Sequence, residues 1–237
     1  MCDMQSKPPN SRANLRLLID GEHYEELVAK AIRGAAVSVW IATANLKTMM
    51  VEAPIGSRAR ARGRYVSFFE TLGELAARGV EVCILHASRP SGPLREELAR
   101  LEKAGGSQVV MRQCPRVHLK MIAVDGGLLY LGSANLTGAG LGAKGEDRRN
   151  FEMGILTDSE AMLDAAQARF DRIWRGKECG TCKLRGECPR PLDLPPRAAR
   201  PAPKPRGPSP RAPAARASAV TSREGSRRTR RSPSSPR

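Results

Sequence analysis

Apolar residues recur along this chain with two different periods. In the stretch GEHYEELVAKAIRGA they return every three or four positions, which places one set on a single helical face: Tyr24, Leu27, Val28, Ala31 and Ile32. The same period recurs in YVSFFETLGELAARGV, which closes at the C-cap Gly79, and in PLREELARLEKAG and SEAMLDAAQARFDRIW. The pattern predicts four helices, each with one apolar face.

Short apolar runs rich in β-branched residues lie between these helices. They are AVSVWIATANL, VEVCILHA, SQVVMRQ, HLKMIAVD, LLYLGSA and NFEMGILTD. Runs of this length, bounded by turn residues, are typical of buried strands. Strands alternating with helices predict an α/β fold, a mixed β-sheet flanked by helices, in one domain over residues 14–176 that follows a flexible segment at residues 1–13.

Four polar groups interrupt the apolar stretch RVHLKMIAVDGGLLYLGSANLTG. Its Gly-Gly pair is a turn signal, so we expect the flanking strands to form a hairpin. Because side chains alternate along a strand, His118 and Lys120 share a face, and Asn135 lies just past the second strand on the same side as Ser133. Asp125 falls on the opposite parity, which favours a structural role in ordering the hairpin or a neighbouring loop. The His, Lys and Asn side chains predict a site for phosphate or another oxyanion.

The spacing of these residues resembles the signature of the phospholipase D superfamily, whose members break or exchange phosphodiester bonds. The matching positions are His118, Lys120, Asp125, Gly132, Ser133 and Asn135. The preceding segments AIRGAAVSVWIATANL and LGELAARGVEVCIL resemble that family too, as does RNFEMGIL, which supplies the carboxylate Glu152. The alternative is that these polar residues only cap strands and pair locally, but the complete spacing argues against it.

The resemblance implies a two-step reaction that needs no metal and passes through a covalent phosphohistidine. His118 would attack phosphorus, since neutral imidazole is a good nucleophile near its pKa. Lys120 and Asn135, with the Ser133 hydroxyl, would hold the non-bridging oxygens. Glu152 would orient the imidazole through its other ring nitrogen.

A second histidine is needed to protonate the leaving oxygen. Neither of the other two histidines, in GEHYEEL and ILHASRP, has a lysine two positions later, so the chain holds one half of a site. Family members with a single copy of the motif complete the site by dimerisation. The resemblance therefore implies a homodimer with one composite site on the two-fold axis.

Single-motif members of the family are mostly small nucleases, so the expected substrate is DNA or RNA. Phospholipase D activity on phospholipid head groups, by hydrolysis or transfer, is the first alternative, although the sequence shows no amphipathic helix or apolar patch suited to a membrane surface. A non-catalytic nucleic-acid-binding module is the second. The loop SRARARGR presents Arg58, Arg60, Arg62 and Arg64 either as contacts to a sugar-phosphate backbone or as a solvated loop.

The net charge of +16 is unevenly spread, since residues 195–237 carry +11 of it. That tail consists mainly of Pro, Arg, Ala and Ser, a composition that predicts disorder. It is either a tether to nucleic acid or an anionic phospholipid surface, or a solubilising tail without a specific partner. The N-terminus lacks the apolar core of a signal peptide and no apolar run approaches the roughly 20 residues of a membrane span, so we expect a cytoplasmic protein without a transmembrane segment.

The Cys-rich segment 177–194 contains ECGTCKLRGEC. Cys179, Cys182 and Cys188 have the close spacing of metal ligands, and Cys83, Cys114, a histidine or a partner subunit would supply a fourth. The spacing also resembles the last three ligands of the iron-sulfur staple of some DNA-processing nucleases. The sequence thus predicts a structural zinc ion or iron-sulfur cluster with no part in the reaction, and reduced thiols in a polar loop are the alternative.

Overall fold

The computed structural model describes residues 12–57, 60–61, 63–103 and 109–194. The basic tail 195–237, nearly all of the N-terminal segment 1–13, and both Arg58 and Arg62 lie outside the described residues.

Nine strands and four helices alternate within the described part of the chain. In chain order they are β1 (Leu15–Ile19), α1 (His23–Ile32), β2 (Ser38–Thr43), β3 (Met50–Glu52), β4 (Tyr65–Ser67), α2 (Phe68–Ala77), β5 (Glu81–His86), α3 (Gly92–Lys103), β6 (Val110–Gln113), β7 (Met121–Val124), β8 (Leu128–Gly132), β9 (Met153–Thr157) and α4 (Glu160–Trp174). Helix α1 is wound as a π-helix, and a short 3-10 turn spans Glu146–Arg148.

Seven strands form one mixed sheet in the order β1-β9-β8-β7-β2-β5-β6. Neighbours from β1 through β2 are antiparallel, whereas β2, β5 and β6 run parallel to one another. These directions bring several strand termini together along one side of the sheet, perpendicular to the strands, which is called here the site edge. They are the C-terminal ends of β1, β2, β5 and β8 and the N-terminal ends of β7 and β9. Strands β3 and β4 form a separate antiparallel pair.

Two apolar layers bury the two faces of the sheet, because successive strand residues point to opposite sides. On one face Ile41 and Ile122 pack with Leu27 of α1 and Leu72 of α2. The opposite layer joins sheet residues to α4 through Leu163, Phe170 and Ile173. Leu, Val, Ile and Ala dominate both layers, so the predicted mixed sheet flanked by helices is confirmed.

The hairpin predicted at the Gly-Gly pair is confirmed: β7 and β8 are antiparallel, and Gly127 N–H donates to Val124 O at 3.1 Å. The strand predicted to start at His118 instead begins at Met121. A turn in which Val117 N–H donates to Cys114 O comes shortly before it. Lys120 nevertheless keeps the strand register, because its carbonyl accepts from Gly132 N–H at 3.1 Å.

Three short strands, β1, β3 and β4, are absent from the prediction. Strand β1 was not predicted, and it takes the edge of the sheet beside β9. The second predicted helix starts three residues late because its first residues form β4 and Ser67 is its N-cap, accepting from Phe69 N–H at 3.1 Å. In the described part of the chain, no helix combines the length and apolar character needed to cross a membrane.

Candidate functional site

His118 and Lys120 meet at the site edge, just before β7. The Lys120 ammonium lies 3.2 Å from each imidazole nitrogen of His118 and donates to the His118 carbonyl at 3.1 Å. Equal distances to both nitrogens place the ammonium over the ring instead of in line with one of them. His118 is an exposed residue, open to a ligand that enters from solvent.

Asn135 is fixed at the same edge by the end of β2. Its Oδ1 accepts from Asn45 N–H at 3.1 Å and from the Thr43 hydroxyl at 3.4 Å. Thr43 also accepts from Leu136 N–H at 3.0 Å, which ties the segment after β8 to β2. Because Oδ1 faces Thr43 and Asn45, the Nδ2 hydrogens of the same amide point away from these two residues.

Glu152 and Ser133 form a hydrogen-bonded pair between β8 and β9. The Ser133 hydroxyl donates to Glu152 Oε2, and Asn150 Nδ2 donates to Oε1 at 3.0 Å. Asp20, directly after β1, receives Glu152 N–H at 2.8 Å. The carboxylate is buried, and among the described residues its hydrogen bonds go to Ser133 and Asn150 and not to His118.

Tyr130 lies directly behind this pair. Its ring crosses Gly132 and Gly154 so closely that a Cβ at Gly132 would lie 2.6 Å from Tyr130 Cζ, which explains glycine at that motif position. Burial and then the negative charge of Glu152 raise the pKa of Tyr130 to about 12. The imidazole of His23 packs edge-on against the tyrosine ring, with centroids 5.3 Å apart.

Asp125 does not join these residues, because it lies at the opposite end of β7. Its carboxylate accepts three backbone N–H groups, from Ala36 at 2.9 Å and from Val37 and Ser38 at 2.8 Å each. Burial alone would raise the pKa of Asp125, but these three donors outweigh it and lower the pKa below its ordinary value. Asp125 therefore ties the β7–β8 turn to the start of β2.

The described arginines of the SRARARGR loop gather around one carboxylate. Arg64 pairs with Glu52 at 2.5 Å and lies over the Tyr65 ring, and Arg60 approaches Glu52 at 3.9 Å. The segment between Asn45 and β3 runs beside Leu136, so the β3–β4 pair extends from the site edge. Two guanidinium groups around one carboxylate leave a positive charge there.

The three cysteines of ECGTCKLRGEC lie in successive turns after α4. Cys179, Cys182 and Cys188 are half-buried free thiols that line one cavity together with Cys114. This cavity is lined by residues of the turn after β6 and of the segment after α4, and by none of the residues described above at the site edge.

An apolar patch adjoins Glu152 on the open end of the sheet. Leu15, Leu17 and Ile19 of β1 and Met153 of β9 are each about half exposed or more, and Phe151 is 95% exposed. Sequence patterns did not indicate this patch, because β1 itself was not predicted.

Sequence reasoning also missed the residues that hold the site in place. Asn45 and Asp20 each follow a strand at the site edge, as Asn135 does, and Asn150 precedes β9. A polar residue immediately after an apolar strand was the signal available for Asn45 and Asp20.

Comparison with known proteins gives one family match. Residues 28–174 match the family model described as cardiolipin synthase, PLD-like domain. No curated protein matches the sequence.

Among the solved structures similar to the chain are three bacterial proteins. NucT from Helicobacter pylori is 18% identical, with TM-score 0.47 over 68% of this chain and 95% of that one. Nuc, a phospholipase D family member from Salmonella typhimurium, is 20% identical, with TM-score 0.48 over 69% and 95%. Phosphatidylserine synthase from Haemophilus influenzae is 17% identical, with TM-score 0.44 over 71% and 39%.

Proposed function

The chain belongs to the phospholipase D superfamily, and from this premise we propose that it is a phosphodiesterase that cleaves DNA or RNA through a covalent phosphohistidine. The observation that carries the proposal is the contact of the Lys120 ammonium with an exposed His118 imidazole at the site edge. A cation beside the nucleophile places positive charge where the phosphoryl oxygens become more negative in the transition state.

The reaction has two displacements at phosphorus. A His118 nitrogen attacks, forming an N–P bond as the P–O bond to the leaving group breaks. Lys120 and the Asn135 Nδ2 donors bind the non-bridging oxygens, and the leaving oxygen takes a proton from a second histidine. Water then attacks the phosphohistidine, returns a proton to that second histidine and releases His118. No step calls on a metal ion, so we expect activity in the presence of a chelator.

The second histidine comes from a second copy of the chain. His23 is fully buried and His86 is buried, so His118 is the exposed histidine of the sequence's three. A homodimer that joins two site edges brings two copies of His118 to one phosphate. The apolar patch beside Glu152 gives such a dimer a surface to bury, since exposed apolar patches commonly mark interfaces.

The resemblance implies that Glu152 orients an imidazole, and we assign it a further role in holding Ser133. Its two carboxylate oxygens are engaged by Ser133 and Asn150, so it first fixes the Ser133 hydroxyl at the site edge. In the proposed dimer, Glu152 of one chain would therefore orient the His118 imidazole of the other chain.

Nucleic acid fits the charge of the chain better than a small phosphodiester does. The Arg60–Arg64 cluster extends from the site edge, and the tail at residues 195–237 adds a net +11. Such charges bind a phosphate backbone without regard to its sequence. The free thiols of the described residues fit a reducing compartment, and we place the enzyme in the cytoplasm.

Phospholipid is the second candidate substrate, because the apolar patch beside the site would also enter a lipid surface. A module that only binds nucleic acid is the third, and it would bind equally well without His118.

Cleavage of labelled DNA, RNA and phospholipid vesicles by the full chain in excess EDTA tests the proposal. We expect cleavage of nucleic acid that falls by a factor of about 10⁴ in His118→Ala, a loss typical of removing a member of a catalytic triad, and strongly in Lys120→Ala. Lys30→Ala is the matched control, since Lys30 pairs with Glu26 on α1 and lies toward the other end of the helix from the site edge.

Three results would contradict the proposal. Hydrolysis of phospholipid vesicles without cleavage of nucleic acid would indicate that phospholipid is the substrate. Binding of nucleic acid without cleavage, unchanged in His118→Ala, would indicate a binding module. Cleavage abolished by EDTA would exclude the metal-independent route.

A further inference from the structure

Four cysteines from two distant parts of the chain line one cavity on the α4 side of the sheet. Cys114 follows β6, whereas Cys179, Cys182 and Cys188 follow α4. None of the four forms a disulfide. Thiols from separate segments that converge in this way need a reason beyond packing, since a free cysteine in a core is usually solitary and buried.

Each of these cysteines is held by a tight turn. Cys114 O accepts from Val117 N–H at 3.0 Å, and Cys182 N–H donates to Cys179 O at 3.3 Å. Cys188 N–H donates to Arg185 O at 3.4 Å. A turn that joins Cys179 to Cys182 has the Cys-x2-Cys form found in structural zinc sites.

The segment after α4 has almost no core of its own. Between residues 177 and 194, Leu192 is the one buried side chain, and no helix or strand is formed there. Arg112 anchors the segment by donating to Trp174 O and Leu192 O. So little apolar burial is insufficient to order 18 residues, and small elements of this kind are commonly stabilised by a metal.

Two arginines, Arg116 and Arg185, line the same cavity. The Arg185 guanidinium donates to Cys179 O at 3.2 Å, which adds a side-chain contact to the turn that begins at Cys179.

Among the described residues, no three His, Cys, Asp or Glu side chains are already arranged to hold a metal ion. The four thiols share a cavity without meeting at one point, so binding requires their side chains to rotate inward. A single ion with sulfurs at about 2.3 Å needs less space than a cluster with its own sulfides.

We propose that Cys114, Cys179, Cys182 and Cys188 bind one structural zinc ion as four thiolate ligands. The ion ties the segment after α4 to the turn after β6 and has no part in the reaction at the site edge. Cys114 thus supplies the fourth ligand. Cys83 does not, because it lies on β5 in the core, where it contacts Glu81.

Metal analysis of the full chain, purified under reducing conditions without added metal, tests this proposal. We expect about one zinc ion per chain, lost in Cys114→Ser and retained in Cys83→Ala. Cobalt(II) added to the reduced, zinc-free wild type should give the intense sulfur-to-cobalt absorption of a tetrathiolate site. This second readout serves if Cys114→Ser fails to fold.

Each other outcome overturns a stated part of the proposal. A wild type that contains no metal and binds neither zinc nor cobalt would leave reduced thiols only. Iron with acid-labile sulfide would replace zinc by an iron-sulfur cluster. Full zinc content in a folded Cys114→Ser variant would exclude Cys114 as a ligand.

Discussion

Replacing Asp125 by asparagine is expected to lower stability and to leave catalysis intact. Oδ1 of Asp125 accepts from Val37 and Ser38 at 2.8 Å each, and Oδ2 accepts from Ala36 at 2.9 Å. Asparagine keeps one oxygen for two of these donors but turns an NH2 group toward the third. Alanine removes all three acceptor contacts.

The size of the effect follows from these contacts. A hydrogen bond to a charged group contributes about 1.5–3 kcal/mol, and exposure at this turn reduces that value because water can replace the carboxylate. We therefore expect losses of about 1–2 kcal/mol for Asp125→Asn and about 2–4 kcal/mol for Asp125→Ala. In a domain of this size each kcal/mol lowers Tm by about 2–4 °C.

Urea unfolding measures the loss, and its pH dependence identifies the cause. The pKa of Asp125 is lowered in the folded protein, so its contribution is complete above the ordinary value of 3.8 and is lost as the pH falls through the folded pKa. The difference between wild type and Asp125→Asn should follow that course. Asp164→Asn, at an exposed position of α4, is the control. Loss of activity in a fully folded Asp125→Asn with unchanged stability would refute the structural role.

Two further substitutions test the packing and the assembly of the site. Gly132→Ala places a Cβ 2.7 Å from Gly154 Cα, so urea unfolding should show a loss of stability of about 1–3 kcal/mol. Gly127→Ala, whose Cβ would lie 4.0 Å from its nearest atom, should change stability little. Equal losses for the two variants would contradict the close packing at Gly132. Leu17→Asp should halve the sedimenting mass and abolish cleavage, whereas Ile55→Asp, at a more exposed turn position outside the apolar patch, should do neither. A Leu17→Asp variant that remains dimeric would exclude β1 from the interface.

Local sequence patterns predict the elements that bury apolar residues on two sides. The spacing of apolar residues is regular enough to identify strands β2, β5 and β7 and helices α2 and α4 from sequence. Strand β1 has four apolar residues among its five, but it lies at the edge of the sheet with only Leu18 buried, so its sequence lacks the alternation of a half-buried strand. The short strand β4 was hidden because Ser67 starts α2 directly after it.

The site divides in the same way. The motif spacing predicts His118, Lys120 and Asn135 as site residues, and their positions at the site edge depend on the β7–β8 hairpin and on β2. The choice of Cys114 over Cys83 is not available from spacing, because it depends on how α4 crosses the sheet and where its following segment meets the turn after β6.

The most direct measurement of the central claim is mass spectrometry of the enzyme quenched during cleavage of an oligonucleotide in EDTA. We predict a transient phosphoryl-linked fragment on the peptide that contains His118, labile in acid and missing from the His118→Ala variant. Turnover with no adduct, or an adduct on another residue, would contradict the phosphohistidine route.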